Sequence, residues 1–379
     1  FYYGKGSTYP DVNGSVGILF EQASSRGQQQ DTVNGLLTFE YGIKNHVLTS
    51  LSTIHGSWVE RGALKEYRQR FYQDVDKLVK KEKFWGYIVH ENSDHYRLNA
   101  LLDKLNQHQI EVFPLASDFR LNSKLYSQQN SYFIPLNQPQ FRLIQAIFST
   151  QKNFEDNTFY DVSGWTIPLA MNIEFAAVNR AWGLKLQEQA WQPKVRQAQS
   201  FTDQAYAYAI EWHHFLSPKL LNELITQGVK VKVANKAFSS VINGNKKDFK
   251  PGTLVVLSGT QDVKEWRALL EQASNKNQIP SHALSTGLTI SGIDLGSSSF
   301  RPIKPRKVLM LGGKSISQYE AGEVRYYLDN QLSIPLSIVE PQRFMRIDLA
   351  NYTHVVLVDG QYGAMPEKVT EKLTQWVKS

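Results

Sequence analysis

The sequence predicts an α/β protein made of several lobes, each built from βαβ units. The first observation is a strand pattern at Trp85 to His90, a helix pattern from Asp94 to Gln107 and a second strand pattern at Ile110 to Pro114. The second observation is that this order recurs from a strand pattern at Tyr206 to Glu211. The third is a further alternation of strand and helix that begins at Arg306. Together they predict tandem Rossmann-like or flavodoxin-like segments.

The composition bounds the size and the chemistry of the protein. The chain has 379 residues, of which 41% are hydrophobic, enough for two or three domains with substantial cores. It contains no cysteine, so disulfides, zinc–thiolate sites and a cysteine nucleophile are excluded for it. No apolar run approaches the roughly 18 residues of a membrane span, so we expect none. Because the chain begins at Phe1 rather than Met, we expect a processed protein or a fragment.

The net charge of +7 favours a solvated basic surface over a nucleic-acid partner. The surplus of positive charge is dispersed, and its densest cluster is Lys77, Lys80, Lys81 and Lys83. No aromatic residues interleave with these lysines in the manner of a nucleic-acid-binding surface. The cluster therefore predicts an exposed helix face.

The two central segments predict a duplicated lobe. Apolar residues match at an offset of 119 positions, in the pairs Tyr87/Tyr206, Leu101/Leu220, Leu102/Leu221, Leu105/Leu224, Ile110/Val229, Val112/Val231 and Phe119/Phe238. We therefore expect residues 84–150 and 205–275 to superpose. The alternative is that any two βαβ units share such apolar spacing.

The order of the helix and strand patterns, together with a linker, divides the chain into four predicted segments, 1–83, 84–203, 204–305 and 306–379, and the boundary at 83 also follows from the family resemblance given below. The second segment ends in an irregular, Trp-rich extension, and the third ends in a linker at 286–305 that is rich in glycine, serine and proline.

The first segment is organised around the stretch from Gly14 to Gly27. Its apolar run, Val16 to Phe20, predicts a buried strand that ends at Glu21, and Arg26 and Gly27 close the small-residue loop that follows. Strand ends are where α/β enzymes place reacting groups. The alternative is a strand that stops at a solvated glutamate. A helical pattern follows from about residue 36 to residue 81, and its glycines at 56 and 62 leave open a division into two helices.

The stretch Gly-Ile-Leu-Phe-Glu-Gln-Ala-Ser-Ser-Arg-Gly at 17–27, preceded by Gly-Ser-Thr-Tyr-Pro-Asp at 6–11, resembles the last catalytic segment of the zinc carboxypeptidase family. The resemblance covers about the first fifth of the chain and is closest to large bacterial secreted members. It implies a periplasmic or secreted peptidase in which zinc activates a water molecule and Glu21 is the general base. The family places a substrate-binding tyrosine shortly before this glutamate, and Tyr9 is the nearest candidate for it, at a different spacing. Arg26 would bind a substrate carboxylate, stabilise Glu21 or lock the loop.

The same resemblance locates the metal outside this chain. The family binds zinc through a His-x-x-Glu motif well before the catalytic glutamate and through a later histidine. The twenty residues before Glu21 contain no histidine. We therefore expect zinc in a longer protein, with ligands upstream of Phe1, and no zinc site in this chain alone. The substrate implied is a peptide or protein.

The segment 306–379 is similar to the amidotransferase-like, flavodoxin-like domain of the large bacterial members, and it stops before that fold would be complete. Glutamine hydrolysis in that fold uses a cysteine, which this chain lacks. A second function therefore stays open for the residues beyond 83. They would form a non-catalytic substrate-binding or scaffolding module of a larger protein.

Three further motifs have simpler structural interpretations. The His-x-x-Glu at His108 to Glu111 lies at a helix–strand junction and in the wrong chain order, so we interpret it as chance. The spacing of His90 and His95 is one residue longer than the spacing that places two imidazoles on one helix face. The Gly-Gly-Lys-Ser at 312–315 lacks the first glycine of a phosphate loop, and Ser317 with Glu320 predicts a capping box.

Overall fold

The computed structural model describes residues 3–150, 166–179, 182–193, 198–202, 204–364 and 367–378. Within these ranges the predicted mixed α/β character is confirmed. The chain divides into two compact units, residues 1–194 and 195–379. The whole string at 159–165 of the Trp-rich extension lies, with the rest of 151–165, outside the described residues.

The first unit begins with loops, a β-hairpin and three helices. Its elements before residue 84 are β1 (Gln29–Thr32), β2 (Gly35–Thr38), α1 (Phe39–Val59), α2 (Arg61–Gln73) and α3 (Val75–Val79). The sequence did not predict the hairpin. Helix α1 begins directly after it, because Thr38 caps the helix by accepting a hydrogen bond from the N–H of Tyr41. The helices break at Glu60 and Asp74, whereas Gly56 and Gly62 lie inside α1 and α2.

The rest of the first unit is a lobe with one four-stranded sheet. Its elements are β3 (Gly86–His90), α4 (His95–Gln107), β4 (Phe113–Pro114), β5 (Phe119–Leu121), β6 (Lys124–Tyr126), β7 (Ser131–Pro135), α5 (Phe141–Phe148), α6 (Ile167–Ala170) and β8 (Glu174–Val178). The strand order is β4-β7-β3-β8, and all neighbours are antiparallel. Helix α4 begins at the capping residue Asp94 and buries four leucines against the sheet.

The second unit begins with a lobe of the same strand order. Its elements are β9 (Ala207–Ile210), α7 (Ser217–Thr226), β10 (Lys232–Ala234), β11 (Phe238–Ile242), β12 (Asn245–Phe249), β13 (Leu254–Leu257), α8 (Trp266–Lys276), β14 (His282–Leu284), β15 (Ser291–Gly292) and β16 (Phe300–Pro302). The sheet order is β14-β9-β13-β10-β16, so β10-β13-β9-β14 repeats β4-β7-β3-β8. Strand β16 adds a fifth strand to this sheet. Because β15 and β16 both lie within residues 286–305, the prediction of a linker is wrong for those residues.

The expectation of Rossmann-like sheets is wrong for both lobes. In each lobe the chain makes a strand, a helix and a parallel strand, and then a β-hairpin reverses it. The following strand, β7 or β13, inserts between the first two, which gives the split βαβ, or ferredoxin-like, arrangement. Hydrophobic periodicity identifies the strands but carries no information about which strands pair.

The strand register refines the match between the lobes. Tyr87 pairs with Ile134 and Ala177, and the residue in the equivalent place is Tyr208, not Tyr206. The helices keep the offset of 119, because the buried leucines of α7 include Leu220 and Leu221. The central strands instead differ by 121 positions, since the connection from strand to helix is two residues longer in the first lobe.

The last part of the chain forms a parallel three-stranded sheet. Its elements are β17 (Val308–Leu311), α9 (Gln318–Arg325), a π-helical turn at Tyr326–Gln331, β18 (Leu336–Val339), β19 (His354–Val356) and α10 (Glu367–Lys378). The order β18-β17-β19, with parallel pairing, matches the first three strands of a flavodoxin-like sheet. The ammonium group of Lys372 on α10 donates hydrogen bonds to three backbone carbonyls, including that of Met345 at 3.0 Å, and so fastens this helix.

Candidate functional site

The stretch from Val16 to Phe20 is not a buried strand. No strand of the described chain pairs with it, and Val16, Ile18, Leu19 and Phe20 are 44% to 63% exposed. An apolar run becomes a strand only where neighbouring backbone groups complete its hydrogen bonds. The prediction was therefore right about the apolar run and wrong about the burial, because the described residues supply no sheet for it.

The start of this stretch is nevertheless fixed by close backbone contacts. The N–H of Ser15 donates to the carbonyl of Pro10 at 3.0 Å, and the N–H of Gly17 donates to Asp11 Oδ1 at 2.8 Å. A Cβ atom added at Gly17 would lie 1.8 Å from the carbonyl oxygen of Ser7. Only glycine fits there, so the Gly-Ile-Leu-Phe-Glu sequence is held against the preceding loop at its first residue.

The stretch borders two grooves along α1 and α2. Residues 22–25 face the first half of α1 across a groove of about 570 Å³, and residues 14–18 face the end of α1 and the start of α2 across a groove of about 650 Å³. Helix α1 buries none of its residues. Apolar side chains of this stretch and of the two helices therefore line open grooves and do not form a closed core.

Glu21 lies between these two groups of groove residues in the sequence. Its side chain is exposed and makes no hydrogen bond or ion pair with any described residue. The observed state is thus the solvated glutamate of the alternative interpretation. A solvated carboxylate is able to accept a proton, but nothing in this part of the chain orients it.

Arg26 is presented by a self-contained turn. Its φ is +50°, a left-handed conformation that a non-glycine residue adopts only in special turns. The turn is closed because the N–H of Arg26 donates to Ser24 Oγ at 3.1 Å and the buried Ser25 hydroxyl donates to the carbonyl of Gly27 at 2.7 Å. The Arg26 side chain is exposed and forms no ion pair with Glu21. The turn therefore presents the Arg26 side chain to solvent.

Tyr9 lies against the first lobe. Its hydroxyl is 2.6 Å from Nδ1 of His108, at the end of α4, and the two ring centroids are 5.4 Å apart. Burial, followed by the charge of Lys104, lowers the pKa of His108 below its ordinary value. Tyr9 also packs on the apolar core of the lobe. No described contact brings Tyr9 together with Glu21 or Arg26, and no local sequence pattern predicts its bond to a histidine 99 positions away.

The described residues do not fit a zinc site. Across the described ranges, no group of three or more histidines, aspartates or glutamates could hold a metal ion. His108 of the His-x-x-Glu motif is engaged with Tyr9, and Glu111 is exposed. Any zinc ligands that accompany Glu21 would therefore come from residues beyond those described.

Sequence reasoning missed a charged cluster in the second lobe. Glu211 Oε2 lies 2.9 Å from Lys247 Nζ and 3.4 Å from His282 Nε2. The hydrogen bond from His282, followed by that from Lys247, lowers the pKa of Glu211 to about 2, against the effect of burial. Glu211 follows directly after β9, whereas Lys247 and His282 lie on β12 and β14. Because the three residues are far apart in the sequence, no local pattern predicts the cluster. Perturbed carboxylates of this kind occur in functional sites and also in structural ion-pair networks.

The start of α9, after the glycine-rich loop that follows β17, is held by two hydrogen bonds. Ser317 caps α9 by accepting from the N–H of Glu320 at 3.4 Å, as predicted. The Glu320 carboxylate does not complete the capping box and accepts instead from the N–H of Asp359 at 2.7 Å. It thereby connects the helix to the loop after β19.

Comparison with known proteins gives no relative for this chain. No family model matches it, and no curated protein or solved structure matches it. Among the described helices, none is long and apolar enough to cross a membrane.

Proposed function

We propose that residues 1–83 belong to a periplasmic or secreted zinc carboxypeptidase-like peptidase, in which Glu21 is the general base of peptide hydrolysis. The observation that supports this proposal is the exposure of Val16 to Phe20 together with α1. The apolar stretch is exposed, and the 21-residue helix α1 buries no residue. Such exposure is expected of a strand that lacks its neighbouring strands and of a helix that lacks the sheet against which it packs.

The residues of this chain have distinct roles in the proposal. Glu21 would accept the proton of the attacking water and pass it to the leaving amine, a contribution of roughly 10² to 10⁴ in rate. Arg26, held outward by the Ser24–Gly27 turn, would bind the terminal carboxylate of the substrate. Tyr9 would reach substrate only after its bond to His108 is broken, so its proposed role requires a local rearrangement. The zinc and its ligands would be supplied from outside the described residues.

The test compares this chain with a longer natural protein that contains it. We expect the longer protein to bind zinc stoichiometrically and to release C-terminal residues from peptides. We expect chain 1–379 alone to do neither. Stoichiometric zinc in the chain alone would show that the ligands lie within it. A longer protein that binds zinc but cleaves no peptide would refute the peptidase function.

The second candidate is a non-catalytic binding or scaffolding module beyond residue 83. It is supported by the two lobes, which share the same strand order. In each lobe, a lysine of the hairpin forms an ion pair with a glutamate of the same lobe. The measurement that separates the two functions is peptide binding. If residues beyond 83 form such a module, chain 1–379 should bind a peptide or protein substrate, and the Glu21→Gln substitution should leave the affinity unchanged.

A further inference from the structure

The β5–β6 hairpin covers the face of the first-lobe sheet that lies opposite α4 and α5. Its side chains Phe119, Leu121 and Tyr126 pack on Ile88 and Phe133 of the sheet. The hairpin is a two-stranded sheet of its own, and within the described chain it pairs with no third strand. Among the described residues, only side-chain contacts join the hairpin to the main sheet, which makes it easier to detach than a strand of that sheet.

A histidine lies under this hairpin. His90 is 5% exposed, and its Nδ1 is 2.8 Å from the hydroxyl oxygen of Ser131. Its ring meets Tyr126 edge-on, with centroids 5.7 Å apart. Glu174, which is opposite His90 on β8, forms an ion pair with Lys124 of the hairpin. One end of the hairpin thus closes over the imidazole with an aromatic ring and an ion pair.

We propose that the β5–β6 hairpin is a lid that opens on acidification, with His90 as the group that responds. The closed lid removes the imidazole from water, which disfavours its charged form, whereas an open lid returns it to solvent. The open state therefore binds a proton more readily than the closed state. By linkage, a falling pH shifts the equilibrium toward opening.

The charged groups around His90 do not reverse this effect. Burial lowers the pKa of His90 below its ordinary value of 6.5, and it is the largest influence. Glu174 on β8 and the neighbouring Glu91 favour the charged imidazole, as does a hydrogen bond with the backbone of Asn130. Lys124 on the hairpin opposes it. Tyr126 stays neutral, because burial raises its own pKa. The neutral imidazole is the form that the closed lid prefers.

The second lobe provides a matched hairpin without the trigger. There Glu211, the residue that follows β9, lies in the place equivalent to His90, and Lys247 and Phe249 lie in those of Lys124 and Tyr126. The imidazole of His282 lies beside Glu211 on the edge strand, and its side chain is 21% exposed.

Its hairpin, β11–β12, is also joined by a third strand. Ser239 and Phe238 pair with β15, and the N–H of Ile290 donates to the carbonyl of Ser239 at 2.8 Å. Backbone hydrogen bonds thus fix this hairpin, and we expect it to stay closed over the pH range that opens the first.

Hydrogen exchange of the whole chain measures both hairpins in one experiment. Protection factors, corrected for the intrinsic pH dependence of exchange, are compared at about pH 7.5 and about pH 5 by mass spectrometry. We expect protection at residues 119–126 to fall by up to about 30-fold, the limit for an ordinary imidazole that is protonated only in the open state. We expect no fall at residues 238–249.

Two variants separate the trigger from the attachment. His90→Gln should keep the same protection at both pH values. Lys124→Gln should lower protection at both pH values by a few-fold and retain the pH ratio, because an ion pair with both partners half-exposed contributes little. Equal protection of residues 119–126 at both pH values in the unmodified chain would overturn the proposal, whether or not the variants fold. A fall that persists in His90→Gln would assign the trigger elsewhere and would also overturn it.

Discussion

Replacement of Glu211 by glutamine should destabilise the second lobe in a way that depends on pH. The carboxylate accepts from His282 and Lys247, and its pKa falls from 4.5 to about 2 on folding. A difference of about 2.5 units corresponds to about 3 kcal/mol at neutral pH. The side chain is 23% exposed, so solvent screening reduces the expected loss to about 2 kcal/mol.

The sign of the pH dependence follows from the lowered pKa. A group of this kind stabilises the folded state fully above its unfolded pKa of 4.5, and that contribution disappears as the pH falls toward about 2. The penalty of Glu211→Gln should therefore fall by more than half between about pH 7 and about pH 3. Below the folded pKa, the variant and the original chain should be equally stable with respect to this group.

Urea unfolding monitored by circular dichroism measures this difference at each pH. Glu323→Gln is a matched control in the same unit, because Glu323 is exposed on α9 and its carboxylate makes no hydrogen bond or ion pair with the described residues. We expect the control to change the free energy of unfolding by less than about 0.5 kcal/mol. A penalty for Glu211→Gln that is the same at both pH values would refute the ionic account of this cluster.

Three other outcomes follow from particular contacts. Gly17→Ala should release the loop at residues 5–17, since its Cβ would lie 1.8 Å from the carbonyl oxygen of Ser7, and limited proteolysis should then cut there faster. Lys372→Met should cost about 2 kcal/mol by removing three hydrogen bonds to carbonyls, and faster hydrogen exchange in α10 would report it; unchanged exchange would contradict that role. The purified chain should release no ammonia from glutamine, because it has no cysteine nucleophile, and ammonia above the level of a buffer blank would contradict this.

The sequence predicted the strands and helices of the lobes better than their pairing. The spacing of the leucines in α4 and α7 predicts one buried face for each helix. Both helices are present, and those leucines are buried. The antiparallel order was not predictable, because the insertion of β7 beside β3 depends on contacts between distant residues. The sequence offset also misassigned Tyr206, since two extra residues between strand and helix leave the apolar pattern intact.

The contacts of the candidate site residues could not be predicted from the sequence. The stretch from Val16 to Glu21 is apolar enough for a strand, yet a strand needs partners that periodicity does not reveal. The bond between Tyr9 and His108 and the ion pairs of Glu211 join residues that are far apart in the sequence. Only the fold brings such groups together, so no spacing rule could have found them.

The most direct test of the proposed function is the turnover number of Glu21→Gln in the longer, zinc-loaded natural protein. Glutamine keeps the size of the side chain but cannot accept the proton, so we expect turnover to fall by roughly 10² to 10⁴. The zinc content should stay equal to that of the unmodified protein, which excludes a loss of metal as the cause. Near-normal turnover at equal zinc content would contradict the assignment of Glu21 as the general base.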